Sequence, residues 1–232
     1  MDERSWNNMC GIFGYIAKHR RGPDLARLRR IALETETRGR HAFGLAWLDR
    51  AGALQTFKRP GAASAALRDL DRVRDAVIVV GHCRWATHGS PDDNRNTHPH
   101  PAGRGWLVHN GVVHNHLQLA RDYRLAPTTR CDSEVLGLLL ARMAGPIDLR
   151  AARTAEATDG PLAILGVWAK PTRLLVVRRG KPLSIGETDD GSYFGSLAGE
   201  LPGMTLPIPD GYAGVLTCSA GALREQGVAI RS

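Results

Sequence analysis

The chain has 232 residues, 43% of them hydrophobic, which suits one domain able to bury a sizeable core. No apolar run approaches the roughly 18 residues of a membrane span, and the polar start MDERSWNNM lacks the apolar stretch of a secretory signal, so a cytoplasmic protein is the default expectation. The net charge of +8 comes from scattered arginines, with only Lys18, Lys58, Lys170 and Lys181 as lysines; without interleaved aromatics it reads as a solvated basic surface, and no nucleic-acid partner is expected.

In chain order, CGIFGYIA reads as a strand, and Leu25, Leu28, Ile31 and Leu33 recur at helical spacing between Asp24 and about Thr37. FGLAWLD and AGALQTFKR read as two strands joined by a turn at Ala51–Gly52. Ser64 is positioned to cap a short helix carrying Leu67, Leu70 and Val73. Ala76 to Cys83 is a buried strand by its β-branched content. A polar stretch follows, and WLVHNGVV resumes strand character. Asn115 begins a helix through Leu117, Leu119 and Tyr123, and Asp132 or Ser133 is an N-cap for EVLGLLLARM. PLAILGVWA, RLLVVRR, KPLSIG, SYFGS and YAGVLTC are short strands separated by turns. Strands grouped around a few helices predict an α+β protein with mainly antiparallel sheets.

Three loops concentrate polar residues. The first, Gly81 to Gly89, follows the buried strand, a rigid place from which Arg84 could grip a carboxylate and Thr87 add a hydroxyl. In the second, Asn110–Gly111, local sequence alone favours a hairpin turn; alternatively, an amide side chain and a backbone N–H aim at one oxygen and form an oxyanion hole. The third, Arg130 to Glu134, offers Asp132 as a helix cap or as a partner for an ammonium. Together they supply a cation for a carboxylate, an anion for an ammonium and donors for an oxyanion. An α-amino acid whose side-chain carbonyl is attacked needs that set. Cys10, Cys83, Cys131 and Cys218 are far apart and show no CxxC pairing, so no disulfide framework, metal site or cofactor is expected.

The stretches Met9-Cys-Gly-Ile-Phe-Gly, Arg38-Gly39, Gly44-Leu-Ala, GHCRWATHG from Gly81, Asn96-Thr-His-Pro-His, HNGVVHNH from His109 and CDSEV from Cys131 resemble, in order, the class II glutamine amidotransferases. These are N-terminal-nucleophile hydrolases, and within them the chain is most similar to the glutaminase domains of glucosamine-6-phosphate synthases. Asp159-Gly-Pro-Leu-Ala and Gly180-Lys-Pro-Leu-Ser-Ile-Gly are weaker echoes.

The resemblance implies a four-layer αββα sandwich. It implies that Cys10 attacks the side-chain amide of L-glutamine to give a γ-glutamyl thioester, glutamate and ammonia. Asn110 and Gly111 would form the oxyanion hole. Arg84 would hold the α-carboxylate with Thr87 and His88 beside it, Asp132 the α-ammonium, and Trp85 would belong to a mobile cover. Arg38, His41 and His98 are candidates for supporting positions around the site. The expected base is the α-amino group of the cysteine, with a reference pKa of about 7.7–8.0.

Two departures stand out. Cys10 lies behind nine residues, so residues 1–9 are expected to be a leader that is removed or not translated, ahead of a glutaminase domain over 10–232; a retained leader would leave a glutamine-binding or docking subunit. His41 and Ala42 stand where relatives usually carry aspartate and serine. The chain has no room for a sugar-phosphate isomerase half, so ammonia is expected to pass to a separate synthase subunit. An amidase acting on another γ-glutamyl or amide substrate is a further alternative.

Overall fold

The structure, a computed structural model, describes residues 9–219 and 222–231. The expected leader therefore lies outside the described residues, except for Met9.

Two antiparallel sheets stack face to face. The first has seven strands: β1 (Gly11–Ala17), β2 (Ala42–Asp49), β3 (Leu54–Pro60), β4 (Ala76–Arg84), β9 (Ser184–Glu187), β10 (Gly191–Gly195) and β11 (Thr205–Pro207), in the spatial order β11-β9-β10-β1-β4-β2-β3. The second has six: β5 (His100–Ala102), β6 (Gly105–Gly111), β7 (Leu162–Ala169), β8 (Thr172–Arg179), β12 (Tyr212–Ser219) and β13 (Ala222–Ala229), in the order β13-β12-β8-β7-β6-β5. The strands β1 and β4 are buried along their whole length because they are covered on both faces. That is why their sequences are continuous apolar runs rather than alternating ones.

Helix α1 (Leu25–Glu36) and a 3₁₀ segment, Ala63–Val73, cover the outer face of the first sheet. Helices α3 (Glu134–Arg142) and α4 (Ile147–Ala157) cover the second, and the short α2 (His116–Asp122) packs beside α3. The expected αββα sandwich is thus present. One hydrophobic core joins the inner faces of both sheets to α1 through Phe13, Phe43, Leu165 and Val176; a second, with Leu136, Leu139, Ala151 and Leu175, lies between the second sheet and its helices. Each such large side chain contributes about 1.5–3 kcal/mol by leaving water.

Most expected elements form, with physical reasons for the differences. Asp24 caps α1 by accepting from the N–H groups of Ala26 and Arg27, while Leu33 turns to solvent. Ser64 caps nothing: the segment starts after Ala62, and the Ser64 N–H donates to the Glu36 carboxylate from α1. A distant carboxylate thus satisfies a first-turn N–H of the segment. Asp132 and Ser133 do not cap α3 either. Ser133 occupies the cap position without a cap hydrogen bond, because its hydroxyl meets His109 Nδ1 at 2.8 Å, and Asp132 accepts from Val113 N at 2.7 Å. Helix α4 and the strands β5, β11 and β13 were not anticipated.

Candidate active site

Cys10 immediately precedes β1, whose Gly11 is paired with Cys83 on β4. Its sulfur lies against the backbone of Trp85, 3.4 Å from Trp85 N and 3.3 Å from Trp85 O. The Cys10 carbonyl accepts from Arg38 Nε at 3.0 Å, and Met9 N donates to Arg38 O at 3.1 Å. Close approach of the 38–41 loop to Trp85 demands glycine at position 39, where a Cβ would stand 2.5 Å from Trp85 N.

The same loop places His41. Its N–H donates to Arg84 O at 2.9 Å, its Nδ1 accepts from Ala86 N at 3.0 Å, and its ring stacks on Trp85 at 4.4 Å. His41 thus supports the peptide that holds the nucleophile, and Arg38 holds the nucleophile's own backbone. Burial pushes the Cys10 thiol up to about 11, aided by Asp132 and opposed by the Trp85 backbone hydrogen bond and by the Arg84 and Arg38 guanidiniums. At neutral pH the sulfur is therefore a thiol that needs a base.

The second sheet supplies the facing wall. Asn110 and Gly111 do not form a hairpin turn, contrary to what local sequence favours. They are the last residues of β6, paired with Ala163 and Leu162 of the sequence-distant β7, after which the chain leaves for α2. Gly111 has φ +154°, and a Cβ there would lie 2.3 Å from Pro161 O, so only glycine fits. The Asn110 side chain is buried; its Nδ2 donates to Ser196 Oγ at 3.3 Å, which also accepts from Ile12 N at 3.1 Å, and its Oδ1 has no partner. Ser196 therefore ties the amide of β6 to the start of β1.

Between these walls is a cavity of about 110 Å³ lined by Met9, Cys10, Thr87, Asn110, Gly111, Val112 and Lys181. The nucleophile, the two expected oxyanion donors and Thr87 are therefore brought together. A larger hollow, of about 300 Å³ by Ile185, Phe194 and Leu206, is lined by no cysteine. The remaining expected residues stand outside the cavity wall. Arg84 is buried, and its guanidinium is engaged by the carbonyls of its own loop, those of His88, Gly89 and Ser90. His88 sits 3.3 Å from Thr87 Oγ1 and 3.9 Å from Asp132 Oδ1, the carboxylate oxygen that Val113 leaves free. His98 is stacked on His82 at 3.9 Å, and His82 in turn meets His109 O at 3.1 Å.

Two residues were missed from sequence. Lys181 lines the cavity and places Nζ 3.1 Å from Met9 Sδ; its signal was its place in one of the weaker echoes. Ser196 carried no local signal.

A cysteine opening the central strand of a double antiparallel sheet, between two helical layers, defines an N-terminal-nucleophile hydrolase fold. Residues 9–165 match the family described as glutamine amidotransferases class-II, and the chain belongs to that family. It is 32% identical over 196 residues to the glutamine–fructose-6-phosphate aminotransferase (isomerizing) of Caulobacter vibrioides, covering 81% of this chain and 32% of that protein. With the enzyme of the same name from Thermus thermophilus the identity is 35% over 207 residues, covering 84% of this chain and 32% of that protein. The chain thus spans about a third of the length of the curated relatives it matches. Among solved structures, glutamine phosphoribosylpyrophosphate amidotransferase from B. subtilis superposes with a TM-score of 0.75 at 22% identity over 94% of this chain and 49% of that one. A class-II glutamine aminotransferase domain protein from Silicibacter pomeroyi does so with a TM-score of 0.63 at 17% identity, over 95% of this chain and all of its own. No helix among the described residues is long and apolar enough to cross a membrane.

Proposed function

We propose that this domain hydrolyses the side-chain amide of L-glutamine to glutamate and ammonia, and that the ammonia passes to a separate synthase subunit. The observation that carries the reading is the cavity in which the Cys10 sulfur meets Asn110, Gly111 and Thr87. The thiol adds to the carboxamide carbon, and the tetrahedral oxyanion is met by the second N–H of the Asn110 amide and by the Gly111 backbone. The sulfur's proton goes to the freed α-amino group of Cys10 and from there to the leaving nitrogen. Ammonia departs, and water cleaves the γ-glutamyl thioester. Removal of residues 1–9 supplies that amine and also vacates the space of Met9.

Asp132 Oδ1 is the acceptor for the substrate ammonium. For Arg84 to take the α-carboxylate, its guanidinium must release at least one of the three loop carbonyls it grips. Glutamine binding is therefore expected to reshape residues 86–90, with Trp85 acting as part of the cover. The four free cysteines fit a reducing compartment such as the cytoplasm.

One observation favours a second reading. Met9 is anchored in the cavity, by Arg38 O at its nitrogen and by Lys181 at its sulfur, so a chain that keeps its leader would be a docking or glutamine-binding subunit with a blocked site. N-terminal sequencing and intact mass of the natural protein, combined with a glutaminase assay, separate the two. Catalysis requires a free Cys10 terminus, glutamate release, and loss of that release in Cys10→Ala. A retained leader with no turnover selects the blocked subunit, and turnover persisting in Cys10→Ala refutes the mechanism.

A further inference from the structure

The loop running into β5 and the loop running into α3 meet beside the glutamine site, and side chains placed there have no part in glutamine hydrolysis. His98 comes from the first loop, His100 opens β5 at its end, and Cys131 comes from the second loop. One ring nitrogen of each histidine and the Cys131 sulfur all lie within 4.8 Å of one another. All three residues are buried, at 2%, 1% and 6% exposure. Neither ring nitrogen of His98 has a hydrogen-bond partner, nor does His100 Nε2. The thiol of Cys131 faces Asp132 Oδ1 at 3.9 Å.

Buried polar atoms in folded proteins almost always find a partner. Two buried imidazoles with orphaned nitrogens, each bringing one ring nitrogen to the same spot as a thiol, therefore point to a missing occupant that accepts electron pairs. We propose that His98, His100 and Cys131 form a binding site for a divalent d-block cation of the zinc class. The donor set itself selects that class: two imidazoles and a thiolate suit zinc and its neighbours, whereas magnesium and calcium take oxygen ligands.

Zinc–nitrogen bonds of about 2.0 Å and zinc–sulfur bonds of about 2.3 Å set tetrahedral donors roughly 3.3–3.8 Å apart. Drawing the three donors in from their present spacing takes about an ångström of side-chain movement. Metal binding takes the imidazoles neutral and the cysteine as thiolate. On binding, the Cys131 S–H bond breaks, the sulfur–metal bond forms, and the proton leaves to solvent. The carboxylates of Asp132 and Glu134 lie on the same side, offsetting the Lys58 and Arg84 cations that also face the cluster.

The cation would bind two loops otherwise joined here by the hydrogen bond from Arg130 N to Asn96 Oδ1, 2.9 Å long, and so fix the backbone beside Asp132. The site does not depend on the proposed glutamine chemistry.

Cobalt(II), a spectroscopic stand-in for zinc, tests the site on chelator-treated full-length protein. The expected result is one equivalent bound, with a near-ultraviolet thiolate-to-cobalt charge-transfer band and tetrahedral visible bands. Both should vanish in Cys131→Ser and weaken in His100→Gln, and both should survive in Cys10→Ala and Cys83→Ala. Wild-type protein that shows no such bands overturns the proposal without reference to any variant. So does a signal that persists in Cys131→Ser, or one that is lost in Cys10→Ala, which would put the metal on the nucleophile.

Discussion

The two walls of the site are built in different ways. On the first sheet the nucleophile is held mainly by backbone atoms, the sulfur by Trp85 N and O and the residue before it by Met9 N on Arg38 O, with one side chain, Arg38, donating Nε to the Cys10 carbonyl. On the second sheet the functional groups are held by side chains, Asn110 by Ser196, His109 by Ser133, while the carboxylate of Asp132 takes Val113 N. A backbone cradle survives changes in side-chain identity so long as the chain keeps its path. A side-chain cradle does not.

The contrast is sharpest at Asn110. In leader-free protein, Asn110→Ala is expected to lower kcat for glutamine hydrolysis by about a hundredfold or more, with the fold kept, because one preorganised oxyanion donor is lost. The effect should fall on kcat more than on KM, and steady-state kinetics beside a circular-dichroism spectrum checks it. A loss under tenfold would mean that Asn110, which donates to Ser196 here, is a structural amide only.

The same contrast decides what could be read from sequence. The strands β1 and β4 were legible because complete burial writes them as apolar runs, and α1 because Leu28 and Ile31 mark its inner face. Cys10, Asn110, Gly111 and Thr87 were legible because they sit in motifs, and the cavity joins them. What escaped depended on partners far along the chain. Ser64, Asp132 and Ser133 have the chemistry of helix caps, yet the Ser64 N–H is taken by the Glu36 carboxylate, and the side chains of Asp132 and Ser133 go to Val113 N and His109 instead. Ser196 has meaning only once β10 lies beside β1. Helix α4 hides its inner face in Ala151, Ala152 and Ala155, which are too small to give a clear apolar stripe, and β5 and β11 are three residues each. The pinning of Arg84 by its own loop is likewise invisible in a linear motif.

A second test probes the side-chain wall through stability. Burial holds His109 down to about 4, with Asp132 pulling up and Lys181 pushing down. Unfolding restores a value near 6.5, so the unfolded chain binds the extra proton between pH 6.5 and about 4. The His109 contribution is fully present above pH 6.5 and is lost at about 1.4 kcal/mol per pH unit as pH falls through that window, about 2 kcal/mol by pH 5. Urea midpoints between pH 4.5 and 7.5 should show this slope added to those of His82, His98 and His100, which burial also depresses, and His109→Asn should lower the total slope by one group's share. An unchanged slope in the variant would place the acid sensitivity elsewhere.

The smallest effect is expected at His41, on the backbone-held wall. His41→Ala removes the acceptor for Ala86 N and the stack on Trp85, yet the peptide of Trp85 keeps its other support through the strand pairing of Ala42 with Arg84. One solvent-accessible hydrogen bond is worth about 1 kcal/mol, so kcat/KM should fall about fivefold. His41→Asp restores a short acceptor and should recover most of that loss, which a merely steric role would not do. A hundredfold loss in His41→Ala, equal to that at Asn110, would break the distinction between the two walls, because the histidine side chain and not the backbone path would then be holding the nucleophile in place.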